Sequence, residues 1–187
     1  MQILLENISV RAHISPALKE QIVSYFEKIT TKKKELILAD GSKARYLYFI
    51  EKGILHNYYN QDGQHITSWF YAENSFVTAW SSFFRQEPSF EEIECLEDCI
   101  LYRISYTNYQ KLIDEYPAFS KFARLLAEEI VAFLDEFSKG WSFLSAKQKY
   151  ELLLKHFSEI ELRVKLGLIA SFLGISQETL SRIRSRK

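Results

Sequence analysis

Between Glu35 and Ile104 the chain alternates short β-branched and aromatic runs with turn residues, and after Tyr106 this pattern gives way to a helical period. The runs are Leu36 to Leu38, Tyr46 to Ile50, Ile54 to Tyr59, Ile66 to Phe70 and Cys99 to Ile104, punctuated by Asp40-Gly41, Lys52-Gly53, Asp62-Gly63 and Pro88. A spacing of about ten residues per strand leaves no room for crossover helices, so the pattern predicts an antiparallel barrel or sandwich rather than βαβ units. With helices on both sides of the strands, the fold class expected is α+β.

Ahead of the strands, Ser15 and Pro16 offer an N-cap followed by proline at the first helical position, and Leu18, Ile22, Val23 and Phe26 recur at helical spacing. A helix over about 16–28 follows. Behind them, Phe119, Phe122, Ala123, Leu126, Ile130, Phe133, Leu134 and Phe137 form one apolar stripe. Two readings stand for it: cover for the barrel, or a two-fold dimer seam, since about twenty residues of helix span roughly 30 Å. Ser145 with Gln148 is a capping box opening a further helix.

The most specific pattern lies at 166–185, LGLIASFLGISQETLSRIRS. A small residue at Ala170 allows a close helix crossing, and Gly174 can take the left-handed conformation that ends a first helix. Ser176 can cap a second one, and Leu180 and Ile183 face back toward the first. Gln177, Glu178, Ser181, Arg182 and Ser185 are then left facing outward. Gln can read adenine, Glu can accept from cytosine N4, and Arg can bond guanine O6 and N7 together. Arg184, Arg186 and Lys187 suit backbone phosphates.

Charge supports this placement only through its distribution. The chain has formal net charge 0, yet from Lys147 onward nine Lys and Arg stand against four Glu, so the last quarter is +5 and the rest −5. No leader-like or membrane-spanning apolar run is apparent, and a cytoplasmic protein without membrane contact is expected. Cys95 and Cys99 are too few for an iron–sulfur cluster or structural zinc; they read as buried thiols or as a redox pair. His56 and His65 flank the Asp62-Gly63 turn, which keeps a cupin-type metal enzyme as a rival, though no third ligand accompanies them. No nucleophile elbow, Walker loop or dinucleotide fingerprint is present, no cofactor is implied, and the chain is read as a non-enzyme.

Tyr48-Phe49-Ile50-Glu51-Lys52-Gly53-Ile54, Glu73-Asn74-Ser75-Phe76, and the segment from Ile169 to Ile183 together resemble the Crp/Fnr superfamily of bacterial transcription regulators. The resemblance implies an N-terminal double-stranded β-helix of the jelly-roll-like cyclic-nucleotide-binding type over 1–116. A long dimerisation helix and hinge over 117–140 would follow, then a winged-helix-like helix-turn-helix over 141–187. It also implies a homodimer on an inverted-repeat DNA operator, with RNA polymerase and a small-molecule effector of unknown identity as further candidate partners. Ser176, Gln177, Glu178, Ser181, Arg182, Arg184, Ser185, Arg186 and Lys187 become the DNA-contact set, with Glu178 and Arg182 on the family's two base-reading positions. Gln177 stands where an Arg is common.

Two departures accompany the likeness. Aligned on Phe76 and Gln86-Glu87, the Gly-Glu pair of cyclic-nucleotide binders becomes Thr78-Ala79, and the Arg-Ser/Thr-Ala run becomes Pro88-Ser89-Phe90. The candidate ligand pocket is therefore Phe76, Thr78, Ala79, Pro88, Ser89 and Phe90, without the arginine that pairs the phosphate, and tight cyclic AMP binding is not expected. Arg85 lies three residues early and reads as a surface residue. The aromatic residues Trp69, Phe70, Tyr71, Trp80, Phe83, Phe84 and Phe90 either line an apolar pocket or fill the barrel. Finally, 158–165 is short for a β-hairpin, so a short or absent wing is expected. A β-roll sensor or scaffold module that no longer touches DNA is the alternative function.

Overall fold

A computed structural model describes residues 1–185. Two helices precede the sheets: α1 (Gln2–Ser9), which buries Leu4, Leu5 and Ile8, and α2 (Pro16–Tyr25). The Ser15 hydroxyl accepts from the Leu18 amide at 3.2 Å, as a cap ahead of proline should. This helix stops at Tyr25 rather than running to 28, because Phe26 turns into the core with extended backbone and β1 (Glu27–Thr31) begins beside it.

The strand region contains β1, β2 (Leu36–Leu38), β3 (Tyr46–Lys52), β4 (Leu55–Gln61), β5 (Gln64–Tyr71), β6 (Phe76–Val77), β7 (Glu92–Cys95) and β8 (Cys99–Ser105), with helix α3 (Trp80–Arg85) between β6 and β7. They form two antiparallel four-stranded sheets, β1-β8-β3-β6 and β2-β7-β4-β5. Non-sequential neighbours such as β8 with β3 and β7 with β4 make this a rolled jelly roll. Leu47, Phe49 and Ile50 of β3 and Leu101 and Ile104 of β8 fill its core. The close approach of two elements at Gly53 explains the Lys52-Gly53 turn. Its φ of +111° suits glycine, and a Cβ there would overlap the Cys99 sulfur and lie 2.9 Å from the Cys99 Cβ.

After β8 come α4 (Tyr106–Glu115) and α5 (Pro117–Trp141). The apolar stripe of α5 divides in two. Phe119, Phe122, Ala123 and Leu126 are buried on the roll, whereas Ile130, Phe133 and Phe137 are only half-buried and Val131 and Leu134 are 65% and 52% exposed. The first half covers the barrel; in the second, Phe133 and Phe137 lean on Trp69 of β5 while Val131 and Leu134 leave an apolar strip open. Gly140 lies inside this helix rather than in a linker.

The remaining helices are α6 (Ala146–His156), α7 (Ile160–Arg163), α8 (Leu166–Leu173) and α9 (Gln177–Arg184). Ser145 and Gln148 close the capping box that starts α6. The segment 158–165 holds the short helix α7, and among the described residues no strand follows β8. No helix of the described residues is long and apolar enough to cross a membrane.

Candidate nucleic-acid interface and ligand cavity

Helices α8 and α9 are joined by a tight turn. Gly174 takes φ 68°, and the Ile175 amide returns to the Ala170 carbonyl at 3.0 Å, which closes α8. The Ser176 hydroxyl accepts from the Thr179 amide at 3.2 Å and caps α9. Leu180 is fully buried with Ile169, Ala170 and Leu173. The outer side of this hairpin carries Ser176, Gln177, Glu178, Ser181, Arg182, Arg184 and Ser185, all exposed.

These residues are not equally free. The Gln177 amide lies over Gly167 at the start of α8, where a Cβ would meet it at 2.6 Å. Arg182 donates to the Thr179 hydroxyl at 3.2 Å. Glu178 titrates below the usual carboxylate range because its own backbone amide, and then Ser176, hydrogen-bond to it, so it remains an acceptor at neutral pH. Arg184 is held 2.8 Å from Glu161, which also accepts from Tyr150; this guanidinium braces α9 against α7. Arg186 and Lys187 lie outside the described residues.

The whole hairpin sits on the roll at an edge strand. In the order β2-β7-β4-β5, β5 has an unpaired side, and α8 covers it. The Ser171 hydroxyl accepts from the Thr67 amide at 3.1 Å and donates to the His65 carbonyl at 3.2 Å, satisfying two edge groups at once. Beside it, the Trp69 ring meets Phe133 and Phe137 of α5, Phe157 after α6 and Phe172 of α8, with centroids 4.9–5.9 Å apart. Arg163 completes the dock, donating to Glu73 at 2.6 and 3.0 Å and to Glu97. Burial works against the Glu73 carboxylate, but Arg163 and the Gly53 amide outweigh it and hold its pKa down. Sequence reading did not anticipate this dock; a serine inside the apolar run 168–173 was its one local sign.

A cavity of about 560 Å³ opens between the roll and the second half of α5. Trp69, Tyr71, Phe76 and Trp80 wall it on one side and Phe133 and Phe137 on the other. Of the six residues expected to line a pocket, Phe76 does so. Thr78 faces a separate cleft of about 300 Å³ and donates to the Tyr46 carbonyl at 2.9 Å. Ala79 is buried ahead of α3, and Pro88 is exposed, bridged to Lys43. Ser89 is buried in its own turn, accepting from the Glu91 amide at 2.9 Å, while Phe90 is 66% exposed. Arg85 and Phe84 are also exposed, whereas Phe70 and Phe83 are fully buried. The aromatic residues therefore do both jobs.

The cavity's polar groups come from positions that the family motif does not mark. Asn57 on β4 donates to the Glu91 carboxylate at 3.0 Å, and its buried Oδ1 has no partner. Glu91 lies one residue past the aligned run. Arg11, from the stretch before α2, faces the same space but donates to Glu129 at 2.6–3.1 Å and to Asn7 at 2.8 and 3.0 Å.

The two strand histidines do not converge. His56 is buried against Phe70 with Nδ1 3.2 Å from the Thr67 hydroxyl; His65 is exposed, and Tyr58 stacks between them. Among the described residues no three His, Cys, Asp or Glu form a group that could hold a metal ion. Cys95 and Cys99 are both free thiols in the core, Cys95 at 3.1 Å from the Thr31 hydroxyl.

Residues 28–116 match the model of the cyclic nucleotide-binding domain. No curated protein sequence matches the chain. Similar solved structures include FixK2 from Bradyrhizobium japonicum, at 15% identity over 86% of this chain and 83% of that one, with a TM-score of 0.75. A protein assigned as a transcriptional regulator of the crp/fnr family from Eubacterium rectale gives 19% identity over 91% and 82%, with a TM-score of 0.71. The catabolite activator protein of Thermus thermophilus gives 16% over 96% and 85%, with a TM-score of 0.60. Residues 28–116 thus form a cyclic-nucleotide-binding-type domain, and the chain has the α+β fold of the Crp/Fnr transcription regulators.

Proposed function

We infer that the chain is a sequence-specific DNA-binding transcription regulator that works as a homodimer and reads an inverted repeat with α9. The observation that carries this reading is the outer face of α9. Gln177, Glu178, Ser181 and Arg182 project from a helix whose start and inner side are fixed by Ser176 and Leu180. These side chains have the donor and acceptor chemistry of the major groove. Docking through α8 leaves that face open, so the hairpin need not leave the roll before it can touch DNA. The open apolar face of α5 is the natural seam for the two-fold partner, and RNA polymerase is the candidate protein partner on DNA.

The same reading makes regulation independent of cyclic AMP. Pro88 stands where the phosphate's arginine would be and is turned to solvent, while Ser89 beside it is closed on its own turn. A buried phosphate without a charge-assisted donor is unfavourable by several kcal/mol. Selection from a randomised duplex library, with wild type and with Arg182→Ala, tests the proposal. The expected result is an enriched inverted repeat with half-sites about one helical turn apart, lost in the variant, with affinity falling steeply as salt rises. Enrichment that survives Arg182→Ala, or none at any salt, refutes it.

A further inference from the structure

We propose that the cavity between β4, β5 and α5 binds a flat aromatic ligand carrying an N–H or ammonium donor, cationic or neutral, and rejects anions. The walls set the shape. Trp69, Tyr71, Phe76, Trp80, Phe133 and Phe137 make the lining largely aromatic, and the volume lies in the range of small-molecule sites. The polar groups set the sign. Asn57 is 7% exposed, its Nδ2 is committed to Glu91, and its Oδ1 is an acceptor without a donor. A buried acceptor left unpaired is costly, so the group favours whatever brings it an N–H. Glu91 adds a carboxylate at the same place. Burial, and after it the Glu91 charge, push the Tyr71 phenol up.

The only cation on the described walls does not reverse this balance. Four of the five N–H groups of Arg11 are taken by Asn7 and Glu129, and Glu129 neutralises its charge. An incoming carboxylate or phosphate would meet Glu91 and the Asn57 carbonyl with one remaining guanidinium hydrogen in its favour. A cation would meet a carboxylate, an unpaired carbonyl and walls rich in aromatic rings, whose π-systems attract positive charge. The cavity's preference for a cation is independent of whether α9 binds DNA.

The probes are an aminoacridine cation, the acridine carboxylate of the same ring system, and cyclic AMP. Each is titrated into the full chain by calorimetry and by quenching of the wall tryptophans. The aminoacridine should saturate at one site per chain and bind at least tenfold more tightly than the carboxylate, with cyclic AMP the weakest. Glu91→Gln, an isosteric change at a partly exposed side chain, should reduce aminoacridine affinity about tenfold and leave the carboxylate within threefold. Carboxylate or cyclic AMP binding as tight as aminoacridine overturns the proposal, as does an absence of saturable aminoacridine binding up to millimolar concentration. An unchanged preference for the cation in Glu91→Gln would also overturn it. Because the charge comparison is made on the unaltered protein, it stands even if a variant folds poorly.

Discussion

Replacing Phe172 with alanine separates the forces that hold the α8–α9 hairpin on the roll. The Phe172 ring meets Trp69 at 5.4 Å and Phe70 at 5.5 Å on β5, and Trp141 at 5.1 Å and Phe137 at 6.3 Å on α5. All four ring contacts reach outside its own hairpin, so their loss falls on docking more than on the fold of α8 and α9. Truncating a buried phenylalanine costs about 3–5 kcal/mol. The lower figure corresponds to roughly a hundredfold in the docking equilibrium. Arg163, by contrast, pairs with carboxylates that are 29–31% exposed, and such pairs give about 1 kcal/mol or less each. Apolar contact should therefore dominate. The Thr67 amide reports the dock directly, since its partner is the Ser171 hydroxyl. Hydrogen exchange at Thr67 should accelerate about a hundredfold in Phe172→Ala and about thirtyfold at most in Arg163→Ala. High salt should imitate only the second. If Thr67 stays protected in Phe172→Ala, or if Arg163→Ala exposes it more, the ranking of forces is wrong.

Gly53→Ala should cost about 2–5 kcal/mol, from a positive φ and from overlap with the Cys99 sulfur. Adding Cys99→Ala should recover part of it, and urea midpoints that add without coupling would contradict the contact. Burial, then the charge of His65, holds the His56 imidazole down at about 4, although Glu94 lies 4.0 Å away. Its unfolded value near 6.5 is higher, so the unfolded chain gains a proton first as pH falls. Stability is complete above about 6.5 and declines toward 4, by about 2 kcal/mol on reaching pH 5. His56→Gln should flatten that part of the urea-midpoint curve, and an unchanged slope would remove His56 as the cause.

What was legible in the sequence was what local chemistry decides. The cap at Ser15, the capping box at Ser145, and the Gly174-Ser176 turn each satisfy backbone groups within four residues, and all three are present. The strands β1, β6 and β7 were not legible. Lys28 to Thr31 and Glu92 to Cys95 alternate weakly, β6 has two residues, and each exists because a neighbour pairs with it. Phe26 continued the helical stripe in sequence, yet its burial in the roll ends α2. Helix α1 carries no such local mark: no side chain caps its start, and Leu4, Leu5 and Ile8 are buried only in the core of the roll. The exposed face of α9 could be placed from periodicity alone, but the pairing of Arg184 with Glu161 requires α7 to be positioned first.

The cavity failed to emerge for a different reason. Alignment to a motif assumes that ligand contacts stay in the segment where relatives keep them. Here Pro88 and Phe90 turn outward and Ser89 closes on its own turn, and the polar groups come instead from Asn57 and Glu91, which are 34 residues apart and meet only once β4 pairs with β7. The same pairing gives the cavity its consequence. Trp69, Phe133 and Phe137 are walls of the cavity and members of the ring cluster that seats Phe172. A ligand in the cavity and the hairpin on the edge strand therefore lean on the same rings from two sides. Such sharing couples the two only to the extent that the rings take different positions in the docked and undocked states. Where they do, linkage makes the effect reciprocal: whatever factor undocking imposes on ligand affinity, the ligand imposes on docking.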